Sequence, residues 1–133
     1  MIELNDHYEE IVSFTQADIR IFADVSGDRN PIHIDEAYAR STFFGKPIVH
    51  GMLAASVFSK IFGTKFPGEG TVYLSQNLKF LAPVYPNEKY VASVEVIEVI
   101  REKHNAVFST TLEDTEKKVC ITGFAKIKHK FLI

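Results

Sequence analysis

Residues 51–62 read GMLAASVFSKIF, and this stretch decides the fold. As a helix it is apolar nearly all the way round, so the sequence predicts a buried helix that Gly63 ends. Such a helix needs a second layer to cover it. Four later stretches can form that layer, because their apolar residues alternate as they do in strands; they are residues 72–80, 90–96, 106–112 and 119–127.

The connections between these strands are short or rich in turn-forming residues. Pro83, Pro86 and Asn87 separate the first two strands, and polar residues at 103–105 and 114–117 separate the others. Such turns favour antiparallel neighbours. The sequence therefore predicts an α+β fold as a single domain over residues 1–133, with one curved antiparallel sheet wrapped round a buried central helix. That arrangement is the hotdog fold.

The N-terminal third of the chain has helical spacing after an opening strand at Tyr8–Phe14. Thr15 followed by Asp18 has the pattern of a capping box, and Gly27 suits the C-terminal cap of the helix between them. A short second helix is expected from Asp35 to about Arg40. Between these two helices lies a stretch with several polar side chains.

Composition excludes several classes of function. The chain has 133 residues, a formal net charge of -2 and a pI near 6.2, so it offers no general attraction to nucleic acid or to an anionic membrane. The first residues are acidic and polar, unlike a secretory signal, and no run of about eighteen apolar residues occurs. The single cysteine, Cys120, is expected to be a buried thiol in a strand. We expect a cytoplasmic protein in a reducing compartment.

The polar stretch at residues 26–33 reads SGDRNPIH. Gly27 allows a sharp exit from the helix, and Pro31 keeps Asn30 out of the helical region, so Asp28, Asn30 and His33 are expected on a stiff, extended loop. A carboxylate and an imidazole within reach of one water molecule can deprotonate it and return a proton elsewhere. Taken singly, each residue also has an ordinary interpretation as a turn, cap or core residue.

A second feature follows at residues 48–51, which lead directly into the apolar helix. The Gly51 amide lies at the positive end of that helix, and the absence of a side chain lets a ligand oxygen approach it. An oxyanion site beside an acid–base pair suits chemistry next to a carbonyl group. His50 is expected to be a structural hydrogen-bond donor.

Other reactive side chains are weaker candidates. His7, His104 and His129 lie in contexts that indicate exposure, and no histidine pair has metal-ligand spacing with a carboxylate, so no metal is expected. Ser56 and Ser59 lack a nucleophile-elbow pattern, and no glycine loop that would cradle phosphates occurs.

The sequence resembles the MaoC-like, or hydratase 2, branch of hotdog enzymes, which comprises R-specific enoyl-CoA hydratases and related dehydratases. The likeness covers nearly the whole chain in order, and its most specific part is the long motif at residues 26–33. Further matching positions are residues 35, 38–39, 43–53, 70–74, 78–80 and 83–84.

The resemblance implies roles for particular residues. Asp28 and His33 would hold the attacking water as a catalytic dyad, Asn30 would orient the pair or the water, and the Gly51 amide would polarise the thioester carbonyl. Ser59 matches a position near the acyl pocket of relatives, with a small core residue as the other interpretation. The implied substrate is an acyl-CoA thioester, with coenzyme A as part of the substrate and no separate cofactor. A homodimer with substrate near the subunit interface is also implied.

Two other functions remain open at this point. A hotdog acyl-CoA thioesterase would direct the activated water to the carbonyl carbon. A non-catalytic acyl-thioester binding domain would need only the apolar helix and a pocket, although binding alone does not demand all of Asp28, Asn30 and His33.

Overall fold

A computed structural model describes residues 1–133, and it contains one six-stranded sheet with four helices. The elements are β1 His7–Val12, α1 Gln16–Ser26, α2 Pro31–Ile34, α3 Glu36–Arg40, α4 Gly51–Thr64, β2 Val72–Gln76, β3 Lys79–Phe80, β4 Tyr90–Ile100, β5 Asn105–Asp114 and β6 Val119–Lys128. The strand order is β1-β4-β5-β6-β2, β3 also pairs with β6, and every pairing is antiparallel. A 3-10 turn at Arg101–Lys103 connects β4 to β5.

The core lies between α4 and the sheet. One side of α4 is buried through its apolar side chains, and the long strands β4, β5 and β6 bury alternate residues against it. Phe62 of α4 meets Phe108 of β5 edge to face, with ring centroids 5.0 Å apart. The predicted α+β hotdog arrangement, a sheet packed round a central helix, is confirmed.

Local signals at the N-terminal helices behave as predicted. Thr15 and Asp18 form a complete capping box at the start of α1, and Gly27 ends the helix in the left-handed region with φ 78°. The short helix α3 begins after Asp35, whose side chain accepts a hydrogen bond from the Tyr38 amide. These features depend only on neighbouring residues, which is why the sequence reveals them.

The extended loop predicted for residues 28–33 is wrong in its second half. Pro31–Ile34 forms a single helical turn, α2, and His33 lies on it. Asn30 caps the turn by accepting a hydrogen bond from the Ile32 amide, and Pro31 occupies the first helical position, where its missing N–H costs nothing. Asn30 itself stays outside the helical region, with ψ 123°, as the following proline requires.

Helix α4 differs from its prediction in two ways. It continues to Thr64, so Gly63 lies inside the helix and does not end it. Burial is one-sided: Met52, Ser56 and Ser59 form an exposed flank, and Met52 is 61% exposed. Burial all the way round is therefore not achieved within one chain.

The predicted strand 72–80 is divided, and its pairing partner is different. Asn77 interrupts it, with Oδ1 accepting from the Phe124 amide, and both halves pair with β6 instead of β4. The connection at residues 81–89 is not a hairpin turn, because β3 and β4 do not pair with each other. Within it Val84 is buried, and its carbonyl accepts from the Val49 amide. The two later hairpins, β4–β5 and β5–β6, form as predicted.

Three further expectations concern single residues and the chain as a whole. Cys120 is a buried thiol in a strand, as predicted, and burial raises its pKa. His129 is buried, contrary to the prediction of exposure, because its ring accepts from the Phe131 and Leu132 amides and donates to the Glu69 carbonyl. None of the helices has the length and apolar character needed to cross a bilayer.

Candidate active site

Asp28 is held in the turn that follows α1. The backbone N–H of Asp28 donates to Ser26 Oγ at 3.1 Å, and its carboxylate Oδ1 accepts from the backbone N–H of Asn30 at 3.2 Å. The side chain is exposed in the single chain. One carboxylate oxygen is thus anchored to the backbone, and the other is left for a ligand or a water molecule.

His33 is fixed in one tautomer by a backbone hydrogen bond. Its Nδ1 lies 2.8 Å from the Ile48 carbonyl oxygen. Because a carbonyl only accepts, Nδ1 carries the proton, and Nε2 keeps a free lone pair. The ring is buried, at 8% exposure, and the Gln16 side-chain amide donates to the His33 carbonyl.

Burial also sets the charge of His33. Desolvation lowers the pKa of His33 below its ordinary 6.5; the Ile48 hydrogen bond and the nearby Asp28 oppose this, while His50 adds to it. The neutral ring therefore predominates at neutral pH. A neutral imidazole with a free Nε2 is the form that accepts a proton from water.

Gly51 is the first residue of α4, a position at which a backbone N–H has no acceptor within the helix. The Phe80 ring lies so close that a Cβ added to Gly51 would be 2.7 Å from it. No side chain fits there without movement of the ring. The combination gives a donor at a positive helix end with an apolar wall beside it.

Asp28, His33 and Gly51 line the same cavity, which measures about 580 Å³. The volume is within the range of small-molecule sites, and most of the lining is apolar, with few polar groups. Besides these three and His50, the lining includes Phe43, Phe44, Met52, Phe80, Leu81 and Ile121. The predicted acid–base pair and the predicted oxyanion donor are therefore brought together on one surface.

Asn30 does not line this cavity. Its Oδ1 caps α2 by accepting from the Ile32 amide at 3.3 Å, while its own amide N–H donates to Asp28 Oδ1. Asn30 therefore contacts Asp28 without lining the cavity. It fixes the Asp28 carboxylate and the start of the turn that carries His33.

Ser59 lies away from the dyad. It is exposed, so it is not a core residue, and it lines a separate groove between α4 and β2. Met52 borders both this groove and the main cavity. Within one chain, Ser59 and the pair Asp28 and His33 thus line different cavities.

Asp28, His33 and His50 each offer a possible metal ligand, and their ligand atoms lie within 4.8 Å of one another. One nitrogen of each ring is already used on a carbonyl oxygen, at Ile48 for His33 and at Asp28 for His50. The expectation that no metal is needed stays a prediction.

The sequence did not single out the aromatic walls of the cavity. Phe43 is 91% exposed and its ring contacts that of Phe44, with centroids 4.1 Å apart. Both lie in an irregular segment after α3, where no periodic pattern marks them. Phe80, which was predicted only as a strand residue, lies on the short strand β3 and lines the cavity.

Residues 4–118 match the family model described as the MaoC like domain. The chain is 41% identical to the (R)-specific enoyl-CoA hydratase of Aeromonas caviae over 86% of each chain. It is 40% identical to the 3-hydroxybutyryl-CoA dehydratase of Methylorubrum extorquens, over 86% of this chain and 72% of that protein.

Solved structures give the same result. The structure of the (R)-hydratase from A. caviae involved in PHA biosynthesis superimposes with a TM-score of 0.93 at 38% identity, and the match covers 96% of this chain and 97% of the other. A family match over most of the chain, together with relatives at this level of identity, is decisive: the chain belongs to the MaoC-like dehydratase family.

Proposed function

We propose that this protein catalyses the reversible addition of water to a trans-2-enoyl thioester, giving the (R)-3-hydroxyacyl thioester. The observation that carries the proposal is the convergence of Asp28, His33 and Gly51 on one cavity. The relatives named above are an (R)-specific enoyl-CoA hydratase and a 3-hydroxybutyryl-CoA dehydratase, which supports a hydro-lyase of the same class.

The proposed reaction follows from which atoms of Asp28 and His33 are free to accept a hydrogen bond. A water molecule between the free Asp28 carboxylate oxygen and His33 Nε2 donates a hydrogen bond to each, so its lone pair is free for C3 of the substrate. As the C3–O bond forms, one of the pair takes a water proton and the double-bond electrons move toward the thioester oxygen. The Gly51 N–H stabilises that charge at the start of α4.

A proton then returns from the pair to C2, so the net change is one water molecule added across the double bond. Because oxygen and proton both come from the side of the substrate that faces Asp28 and His33, the addition is syn. Dehydration is the same sequence in reverse.

The direct test is the ultraviolet absorbance of crotonyl-CoA. Hydration removes the conjugated double bond, so absorbance falls while a thiol reagent detects no release of coenzyme A. Release of thiol in step with substrate loss would identify a thioesterase instead. Tight binding with no turnover at any chain length would identify an acyl-thioester binding domain, and either result contradicts the proposal.

We also propose coenzyme A as the carrier, since the two relatives named above act on coenzyme A thioesters by their names. We propose that no separate cofactor takes part, because polarisation and proton transfer in the proposed reaction use only protein groups. A free, buried Cys120 fits a reducing compartment, and we place the protein in the cytoplasm. Comparing kcat/KM for crotonyl-CoA and for the crotonyl thioester of acyl carrier protein tests the carrier.

Replacing Gly51 with Ala is expected to lower kcat/KM for crotonyl-CoA by about tenfold or more, since misplaced reacting groups cost up to about 10²-fold. The new methyl group would meet Phe80 at 2.7 Å and crowd the approach to the amide. Gly63→Ala is the matched control: it lies in the same helix, its added Cβ meets no atom within 4 Å, and activity should not change. Equal activity of both variants contradicts the role of Gly51.

We propose that the protein is a homodimer joined along β2. This strand is an edge of the sheet, and Val72 and Leu74 on it are 53% and 46% exposed. An exposed apolar edge strand is an open pairing surface. A partner there would also shield the exposed flank of α4 that carries Met52.

Replacing Leu74 with Lys is expected to convert the dimer into a monomer of 15.0 kDa in light scattering after size-exclusion chromatography. A buried, unpaired charge at the interface is costly, whereas the same charge in water is not. Ile11→Lys is the control, because Ile11 is also an exposed apolar residue on an edge strand but lies at the opposite edge of the sheet, on β1. Monomerisation by Ile11→Lys and not by Leu74→Lys would place the interface elsewhere.

A further inference from the structure

His50 contacts both members of the proposed acid–base pair, Asp28 in the turn after α1 and His33 on α2. It is the residue before α4 and is 1% exposed. Its Nε2 lies 2.9 Å from the backbone carbonyl oxygen of Asp28, and because a carbonyl only accepts, Nε2 carries the proton. This hydrogen bond ties the turn after α1 to the start of α4.

The face of the same ring lies against His33. The two ring centroids are 4.0 Å apart with an interplanar angle of 27°, and Phe22 of α1 also contacts the His50 ring, at 4.8 Å and 59°. His33 is thus held at its edge by the Ile48 carbonyl and on its face by His50. With these contacts in place, the His33 ring has little freedom to rotate.

The other nitrogen of His50 is informative because it has no partner. Nδ1 is buried and makes no hydrogen bond. A buried unpaired acceptor destabilises a protein, so a phenylalanine would serve better if the ring only filled space. The feature that a phenylalanine lacks is the N–H directed at the Asp28 carbonyl.

We propose that His50 is a positioning residue for the hydration reaction. Its Nε2–H holds the backbone of Asp28 and its ring face holds the ring of His33, so that both keep a fixed position relative to the Gly51 amide. His50 can do this because it is joined to Gly51 by the peptide bond to which that amide belongs. The inference rests on the proposed hydratase function. In this role His50 does not touch the reacting atoms of the substrate. It acts through the backbone of Asp28 and the ring of His33.

The test compares His50→Gln with His50→Met. The two side chains have the same length, and only Gln carries an N–H that can reach the Asp28 carbonyl. With crotonyl-CoA as the probe, His50→Met is expected to lower kcat by about 10²-fold with KM changed by less than about threefold, since loss of alignment affects the chemical step. His50→Gln should restore about tenfold of that loss.

His129 supplies the matched control. It is also buried, and its Nε2 makes the same kind of bond, to the Glu69 carbonyl at 2.9 Å, but it does not line the cavity. His129→Met and His129→Gln should lower the melting temperature while kcat stays within about twofold of the unchanged protein. A purely structural role of His50 predicts that both positions behave alike.

The results separate the two proposals. An unchanged protein that does not consume crotonyl-CoA counts against the hydratase function itself. In an active protein, equal kcat for His50→Gln and His50→Met, or a loss confined to KM, overturns the positioning role. If His50→Met does not fold, His50→Gln decides alone: a reduced kcat with unchanged KM supports the role, and an unchanged kcat overturns it.

Discussion

Replacing Asp28 with Asn is expected to lower kcat for crotonyl-CoA hydration by about 10³-fold, within the range that acid–base groups contribute. The side-chain oxygen of the new Asn can still accept from the backbone N–H of Asn30, as the Asp28 carboxylate does at 3.2 Å, so the turn should keep its shape. What is lost is a group that can take up and return a proton. Steady-state kinetics and the melting temperature, measured together, distinguish this loss from unfolding.

Asp24 provides the control for that substitution. It is an exposed carboxylate close in sequence, paired with Arg29 at 2.8 Å, and it lies outside the cavity. An exposed ion pair contributes little to stability. Asp24→Asn should therefore leave kcat within about twofold, and a comparable loss in both variants would remove Asp28 from the reaction.

Replacing His33 with Asn is expected to have an effect of similar size, about 10³-fold in kcat. The Asn amide can donate to the Ile48 carbonyl in place of Nδ1, which preserves the contact seen at 2.8 Å. It has no counterpart of Nε2, so the water loses its second partner. Retention of more than about a tenth of the activity would contradict a role for His33 in proton transfer.

The pH dependence of the unchanged protein gives a second measurement on His33. Burial lowers its pKa below 6.5, so the neutral, active ring persists into mildly acidic solution. The acid limb of kcat/KM should therefore fall below pH 6.5 and should disappear in His33→Asn. A limb centred above pH 6.5 contradicts the assignment.

The lowered pKa of His33 also makes the free energy of unfolding depend on pH, because the unfolded chain has the ordinary pKa at this residue. The unfolded chain, with a pKa of 6.5 at this residue, binds a proton more readily than the folded chain. The contribution of His33 to folding is therefore fully present above pH 6.5 and is lost as the pH falls through the lower, folded pKa. Urea unfolding at several pH values measures it.

Local features of this protein were predictable from sequence because they depend on residues a few positions apart. Thr15 and Asp18 form their capping box, Gly27 takes the left-handed conformation, and the hairpins of β4, β5 and β6 close where turn residues occur. The motif at residues 26–33 also placed Asp28 and His33 near each other, since only four residues separate them. Short-range sterics and capping determine all of these.

The long-range features required the tertiary structure. Nothing near residues 72–80 indicates that this segment pairs with β6, because its partner lies some fifty positions away. For the same reason, that the segments which meet are far apart in sequence, neither the buried environment of His129 nor the placement of Ser59 in a separate groove was predictable. Sequence patterns report which side chains are apolar, but not which surface covers them.

The site shows the same division. From the sequence alone came the acid–base residues and the glycine amide, each with its chemistry. The tertiary structure decided that they share one cavity, that the Ile48 carbonyl leaves Nε2 of His33 free, and that His50 bonds to Asp28 while it packs on His33. The physical reason is that residue type fixes which protons can move, whereas only packing between distant segments fixes where the donors and acceptors point.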